Sequence, residues 1–281
     1  MSDARTSVIV GGDASLGVAL RAAAATRASE VWVTSRRRAA RVEPNAGSAF
    51  LDLRDRAACE RFAFPEPLGR VYLLAAVTSL RACRESPAAA RAVNVDAVGV
   101  LAERAAAAGG LPVLVSTNLV FDGGTPRVAC SAPLRPRTVY GEHKAQAERL
   151  VLDAGGVVVR PTKVLPREPA MLADWRDALR DGKRVEAFTD LWFAPVPMPS
   201  VIDALLDAGP GVHHVSGRHD LSYYEAALHL AQRVEADPGL VVPAKAADAG
   251  IPPEERPRHT TLACGRPFAP WDVLDRALGF A

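Results

Sequence analysis

Apolar and polar positions along the chain alternate between two periods. "SVIV", closed by "GG", is a short unbroken apolar run, which predicts a strand buried on both faces. "ASLGVALRAAAATRA" follows with apolar residues at helical spacing. "EVWVTS" predicts a second strand, ending at "RRR", and "SAFLDLRD" a third, short one. "RVYLLAAVT" predicts a fourth strand. "SPAAARAVNVDAVGVLAERAAAAGG" then predicts one long helix stopped by a glycine pair. "LPVLVSTNLVF" is a fifth strand with its exit, "YGEHKAQAERLVLDAGG" a helix, and "VVVRPT" a sixth strand. Strands rich in Val, Leu and Ile that alternate with helices predict an α/β fold. The specific expectation is a Rossmann-type, doubly wound parallel sheet covered on both faces.

Beyond Pro161 the pattern changes. Prolines crowd into "WFAPVPMPS" and "IPPEERPRH", the elements shorten, and "GVHHVSG" still reads as a strand. The expected division is a sheet-bearing domain over 1–160 and a smaller C-terminal lobe over 161–281. The strand near 212–216 is expected to rejoin the sheet.

Composition narrows the function classes. A chain of 281 residues, 49% hydrophobic and 23% charged, has the balance of an ordinary globular protein. A net charge of +2 gives no long-range field for nucleic acid or an anionic membrane. Cys59, Cys83, Cys130 and Cys264 lie far apart without paired spacing, so neither a metal site nor a disulfide framework is expected. The opening "MSDARTSVIVGG" runs straight into a strand, and no apolar run is long enough to span a bilayer. The expected setting is the reducing cytoplasm.

Three clusters carry candidate chemistry. The first strand exits through "GGDASLG", in which Gly11, Ala14 and Gly17 frame Ser15 and Leu16. Small residues there suit a tight strand-to-helix turn, or that turn plus a pyrophosphate seated on the helix N-terminus. At the end of the second strand, Ser35, Arg36 and Arg37 read either as a solvated arginine cluster or as a grip on the 2′-phosphate of NADP(H). No acid stands in that segment, which favours NADP over NAD. The third cluster is Tyr140 and Lys144, one helical turn apart on one face. With four tyrosines and four lysines in the chain, random placement would seldom produce this spacing. The pair reads as a phenol whose proton-transfer pKa is lowered by a neighbouring ammonium, or as a structural pair on an exposed face. Thr117, at the exit of the fifth strand, stands where such sheets bind ligands, and its hydroxyl can hold a substrate carbonyl. His143 reads as a solvated helix residue, His213 and His214 as packing. Trp192 and Phe193 suit either stacking on a nucleotide base or the core of the lobe.

These segments together resemble the extended short-chain dehydrogenases/reductases, and most closely the dTDP-4-dehydrorhamnose reductase group. The resemblance rests on "GGDASLG", "LDLRD", "LLAAVTSLRACRESPAAARAVNVDAVGVLAERA", "VSTNLVFDGG", "VYGEHKAQAE", "VVVRPT", "GVHHVSG" and "RPRHTTLAC", in order along nearly the whole chain. It implies an NADPH-dependent reductase of the 4-keto group of a nucleotide-linked 6-deoxysugar, with an NADP-binding first domain and a substrate-binding lobe. Tyr140 would be the proton donor, Lys144 its partner and Thr117 the third hydroxyl. Asp52 and Leu53 would lie beside the adenine, and Ala75, Ala76 and Val77 beside the nicotinamide. Thr78, Asn118, Leu119, Phe121 and Trp192 would face the substrate. A nucleotide sugar is then the expected partner, with a homodimer as a candidate assembly. Two other functions share these motifs: a regulatory subunit that binds NADP without turnover, like that of methionine adenosyltransferase, and a nucleotide-sugar epimerase or dehydratase. Where the family reads "STDYVFDG" this chain reads "STNLVFDG", so Asn118 and Leu119 replace an acid and an aromatic, an aromatic is missing at Val77, and the family's middle loop glycine is Ala14. The sugar therefore need not be dTDP-4-dehydrorhamnose itself.

Overall fold

The computed structural model describes residues 5–27, 30–36 and 47–280. In chain order the first elements are β1 (Thr6–Val10), α1 (Ser15–Ala25), β2 (Glu30–Ser35), β3 (Ser48–Phe50), α2 (Arg56–Arg61) and β4 (Leu68–Leu73). Next come α3 (Leu80–Glu85), α4 (Pro87–Arg91), a π-helical turn (Ala92–Asp96), α5 (Ala97–Ala107), β5 (Leu111–Val115), α6 (Val139–Asp153) and β6 (Val157–Pro161). The rest are β7 (Lys163–Leu165), α7 (Ala170–Arg180), β8 (Val185–Phe188), β9 (Trp192–Phe193), β10 (Pro195–Pro197), α8 (Met198–Asp207), β11 (Gly211–Val215), β12 (Leu221–Ser222), α9 (Tyr223–Arg233), β13 (Val241–Ala244) and α10 (Pro270–Ala277).

Seven strands form the main sheet in the order β11-β6-β5-β4-β1-β2-β3. β1 pairs in parallel with both β2 and β4, and β4–β5, β5–β6 and β2–β3 are parallel as well. The apolar runs explain why: Val8, Ile9 and Val10 are almost wholly inaccessible on both faces, each contributing about 1.5–3 kcal/mol by leaving water. The order 3-2-1-4-5-6 is the doubly wound arrangement expected from the alternating pattern, and its direction reverses between β1 and β4. Ligands of such sheets bind at that reversal, outside the strands' carboxyl ends.

The single long helix expected over 86–110 is present as one run of helical winding from Pro87 to Ala107, with one irregularity. Ser86 leaves helical geometry (φ −139°, ψ 63°), and Pro87, which has no N–H to give, opens the next segment as α4. A π-helical turn then joins α4 to α5. The sequence pattern misses this widened turn because alanine-rich segments fit either winding.

The chain divides into two compact units. The first runs through Val120 and includes Thr138–Arg160 and Ile202–His213; the second comprises Phe121–Arg137, Pro161–Val201 and the chain from His214 on. In the first, Leu51, Leu73, Leu101, Leu114 and Val158 belong to one apolar core. In the second, the pairs β7–β10 and β8–β13 are parallel and β9–β12 antiparallel. Leu172, Leu179, Phe193, Leu230 and Leu274 share its core. A capping box, Ser222 with Glu225, starts α9.

Candidate active site

The loop between β1 and α1 is shaped by what it excludes. Gly11 has φ +90°, and a Cβ there would lie 2.5 Å from the Cβ of Ala75. A Cβ on Gly17 would lie 2.7 Å from the Cα of Gly12. The loop thus folds flat against the first turn of α1. Ala14 is the N-cap of that helix and offers no side-chain acceptor to its leading N–H groups. Donors left in this way at an eleven-residue helix suit a phosphate. The residues here fit the pyrophosphate of a dinucleotide, with Ser15 and Leu16 in the first turn.

Ser35 ends β2, and its Oγ donates to the carboxylate of Asp13 in the glycine loop. The sequence segment shows no acid at this point; the fold brings one from 22 residues earlier. Arg36 follows, exposed, and Arg37 lies outside the described residues. Asp52 accepts from the Arg54 backbone N–H at 3.0 Å and from its guanidinium at 2.6–3.1 Å. Those bonds, side chain first, hold the carboxyl at a pKa of about 2. Leu53 beside it is buried.

At the exit of β4, Ala75 donates its N–H to Val10 O at 3.0 Å. Ala76 and Val77 follow, half-buried, and Thr78 is exposed. Val77 is latched by a residue the sequence reading passed over. Asn94, wholly buried in the π-helical turn, accepts from Val77 N at 2.7 Å and donates to Val77 O at 3.0 Å. Wide turns of this kind collect at functional sites.

α6 carries the central constellation. Thr138 caps it, accepting from Gly141 N at 3.0 Å. That cap fixes the phase of the helix and buries Tyr140, Lys144, Ala147, Glu148 and Val151 along one stripe. Tyr140 is 9% exposed and packs with Cys83 and Ala90, beside Val77, Leu80 and Leu119. Lys144 is 2% exposed. Burial pushes the Tyr140 phenol above its ordinary value, with a smaller push from the Cys83 thiol. The lowering expected from Lys144 is therefore not what governs the phenol in the protein by itself. Burial in turn pulls the Lys144 ammonium down to about 8, against the attraction of Glu148 one turn later. Glu148 is itself held: Arg160 donates from Nε at 2.9 Å and from Nη2 at 2.6 Å, and Ser116 Oγ donates to the same carboxylate. A carboxylate placed four residues after Lys144 on an otherwise apolar stripe was the signal for this network.

Thr117 follows Ser116 at the exit of β5, 9% exposed, its Oγ1 accepting from Leu119 N at 3.2 Å. Asn118 and Leu119 begin a 3-10 turn (Asn118–Val120). His143 is not solvated as expected; it is buried on α6, and its Nδ1 has no hydrogen-bond partner.

Phe121 and Trp192 belong to the second unit. Phe121 meets the ring of His214 edge-on at 6.1 Å. Trp192 lines a cavity of about 440 Å³ together with Arg127, Arg218, Arg258, His219, His259, Asp220, Pro126 and Thr261. Arg127 sits at φ +52° and donates its N–H to Thr261 Oγ1 at 3.1 Å. Asp220 is taken up by the N–H and hydroxyl of Thr260 at 2.8 and 2.6 Å. The arginines come from three separate stretches of sequence, which is why no motif announced them.

Sheet order and glycine loop define a doubly wound α/β protein of the Rossmann type. More narrowly, the chain matches the RmlD substrate binding domain over residues 5–268 and belongs to that family. It is 29% identical over 196 residues to the methionine adenosyltransferase 2 subunit beta of Bos taurus, covering 64% of this chain and 58% of that protein. It is also 29% identical over 213 residues to the dTDP-4-dehydrorhamnose reductase of Burkholderia thailandensis, 67% of this chain and 71% of that one. The dTDP-4-dehydrorhamnose reductase of Bacillus anthracis, solved in complex with NADP, shares the fold: TM-score 0.79 at 16% identity, over 97% of this chain and 98% of that one. No helix among the described residues is long and apolar enough to cross a membrane.

Proposed function

We propose that the protein is an NADPH-dependent reductase of the 4-keto group of a nucleotide-linked deoxysugar, of the dTDP-4-dehydrorhamnose reductase type. The observation that carries this reading is the buried stripe of α6, where a phenol and an ammonium stand one turn apart. The first unit takes the dinucleotide: the loop from Gly11 to Gly17 holds its pyrophosphate, and Asp52 and Leu53 border its adenine. The reduced nicotinamide, when bound, supplies the hydride.

The rest is work for the protein's own side chains. Tyr140 delivers a proton to the C4 oxygen as that oxygen becomes an alkoxide. A phenol kept above its ordinary pKa is neutral at pH 7 and so has that proton to give. Thr117 Oγ1 donates to the same oxygen and stabilises its developing charge. Lys144 remains mostly charged below pH 8, attracts the electron density left on the phenolate and donates to ribose hydroxyls. Asn94 holds Val77, and thereby the floor of the nicotinamide site, in one conformation. Taken by itself, the cavity of the second unit has groups that suit a nucleoside diphosphate: guanidiniums pair with phosphate oxygens in two-bond forks and the Trp192 indole offers a face to a base.

The deciding experiment follows NADPH oxidation against a panel of nucleotide 4-keto-6-deoxysugars, with wild type and Tyr140→Phe. Stoichiometric oxidation that the variant loses supports the reading; undiminished turnover by the variant rejects the proton-donor role. A second reading, a subunit that binds the dinucleotide without consuming it, is favoured by the bovine relative. It requires tight NADPH binding with no oxidation across the whole panel. An epimerase or dehydratase would convert the sugar without net NADPH consumption.

A further inference from the structure

In sheets of this order, the end of β2 meets the 2′ position of the adenosine ribose. A carboxylate there accepts from a 2′-hydroxyl, whereas a guanidinium pairs with a 2′-phosphate. The segment "VTSRRR" contains only groups of the second kind. The fold supplies the first kind from the glycine loop, since Asp13, exposed, accepts from Ser35 Oγ. A serine hydroxyl has one proton to donate. With that proton directed at Asp13, Ser35 has none left to donate to a phosphate oxygen. Among the described residues at this end, Arg54 grips Asp52 through the Nε–Nη2 edge of its guanidinium, and Arg36 acts on the same carboxylate.

We propose that Asp13 sets the cofactor preference. Its carboxylate accepts from the 2′-hydroxyl of NADH and repels the 2′-phosphate of NADPH, so the protein takes both dinucleotides. This rests on the dinucleotide site of the reductase reading but on neither the turnover nor the sugar. Removing the charge turns the site toward NADPH.

The test compares 5′-ADP with 2′,5′-ADP, which differ only in the 2′-phosphate, by calorimetric titration of wild type, Asp13→Asn and Asp13→Ala. In wild type the two Kd values are expected within about tenfold of each other, and in both variants 2′,5′-ADP should tighten about fivefold relative to 5′-ADP, as loss of one nearby like charge predicts. That gain should shrink as salt is added. In the reductase assay, the ratio of kcat/KM for NADPH to that for NADH should rise in the same direction. An unmoved nucleotide ratio in both variants, with unfolding transitions like wild type, overturns the role of Asp13 and leaves the dinucleotide site standing. Binding of neither nucleotide by wild type overturns both.

Discussion

On α6, Tyr140, Lys144 and Glu148 stand one turn apart in the dry; at the end of β2, Asp13, Ser35 and Arg36 stand in contact with water. Both regions are polar, yet different forces set their chemistry. Along α6, burial comes first: it raises the phenol, lowers the ammonium, and is tolerable for Glu148 only because Arg160 and Ser116 satisfy it. Near β2, hydrogen bonds come first, and the lowered pKa of Asp52 follows from Arg54 rather than from depth. A single substitution should therefore act strongly on the helix and weakly at the strand end.

The largest effect expected is on turnover. Tyr140→Phe removes the proton donor and should lower kcat by about 10²–10⁴-fold, the usual range for a positioned general acid. Its thermal unfolding should stay close to wild type, because the ring remains packed with Cys83 and Ala90. Next, Arg160→Ala strands the Glu148 carboxylate in the interior. Unfolding in urea should show a loss of about 3–5 kcal/mol, the cost of breaking a buried pair from one side.

Lys144 sharpens the contrast, since activity and stability should respond to it in opposite directions. Its ammonium titrates near 8 in the folded chain, below the ordinary 10.5. Between those values the unfolded chain holds more protons, so stability contributed by this group rises with pH across that window. Activity should instead fall as pH passes 8 and the ammonium is lost. Lys144→Met should abolish both slopes, depress turnover, and raise the unfolding midpoint, as read from paired pH profiles of rate and melting. The smallest effect lies at the strand end. Arg54→Ala should return the Asp52 carboxyl toward its ordinary pKa, seen by NMR titration, with an unfolding midpoint indistinguishable from wild type.

The same contrast explains how far the sequence could be read. The strands of a doubly wound parallel sheet, the glycine turn and the Tyr140–Lys144 spacing were legible because each is a local pattern: a run, a turn, a spacing. Belonging to the RmlD substrate binding domain family agrees with that reading. What escaped depended on residues distant in sequence meeting in space. The acid beside Ser35 comes from the glycine loop, and the cavity arginines come from positions 127, 218 and 258. His143 was misjudged because a helix with few neighbours in sequence can have many in space. The widened turn after α4 escaped because alanine hides phase: it is equally content on either side of a helix.

That widened turn has a consequence for how the chain tolerates change in length. It holds one residue more than an ordinary turn, so excising a single residue between Ala92 and Asp96 would restore regular winding. The helix would become smoother and, by local propensity, better. The flanking helices would keep their phase, because the wide turn already absorbs the surplus residue, but side chains inside the turn would be re-aimed by about 100°, the angle one residue subtends. Asn94 would then face away from Val77, and the backbone it clasps would come loose. Here an imperfection in the winding is what aims the amide.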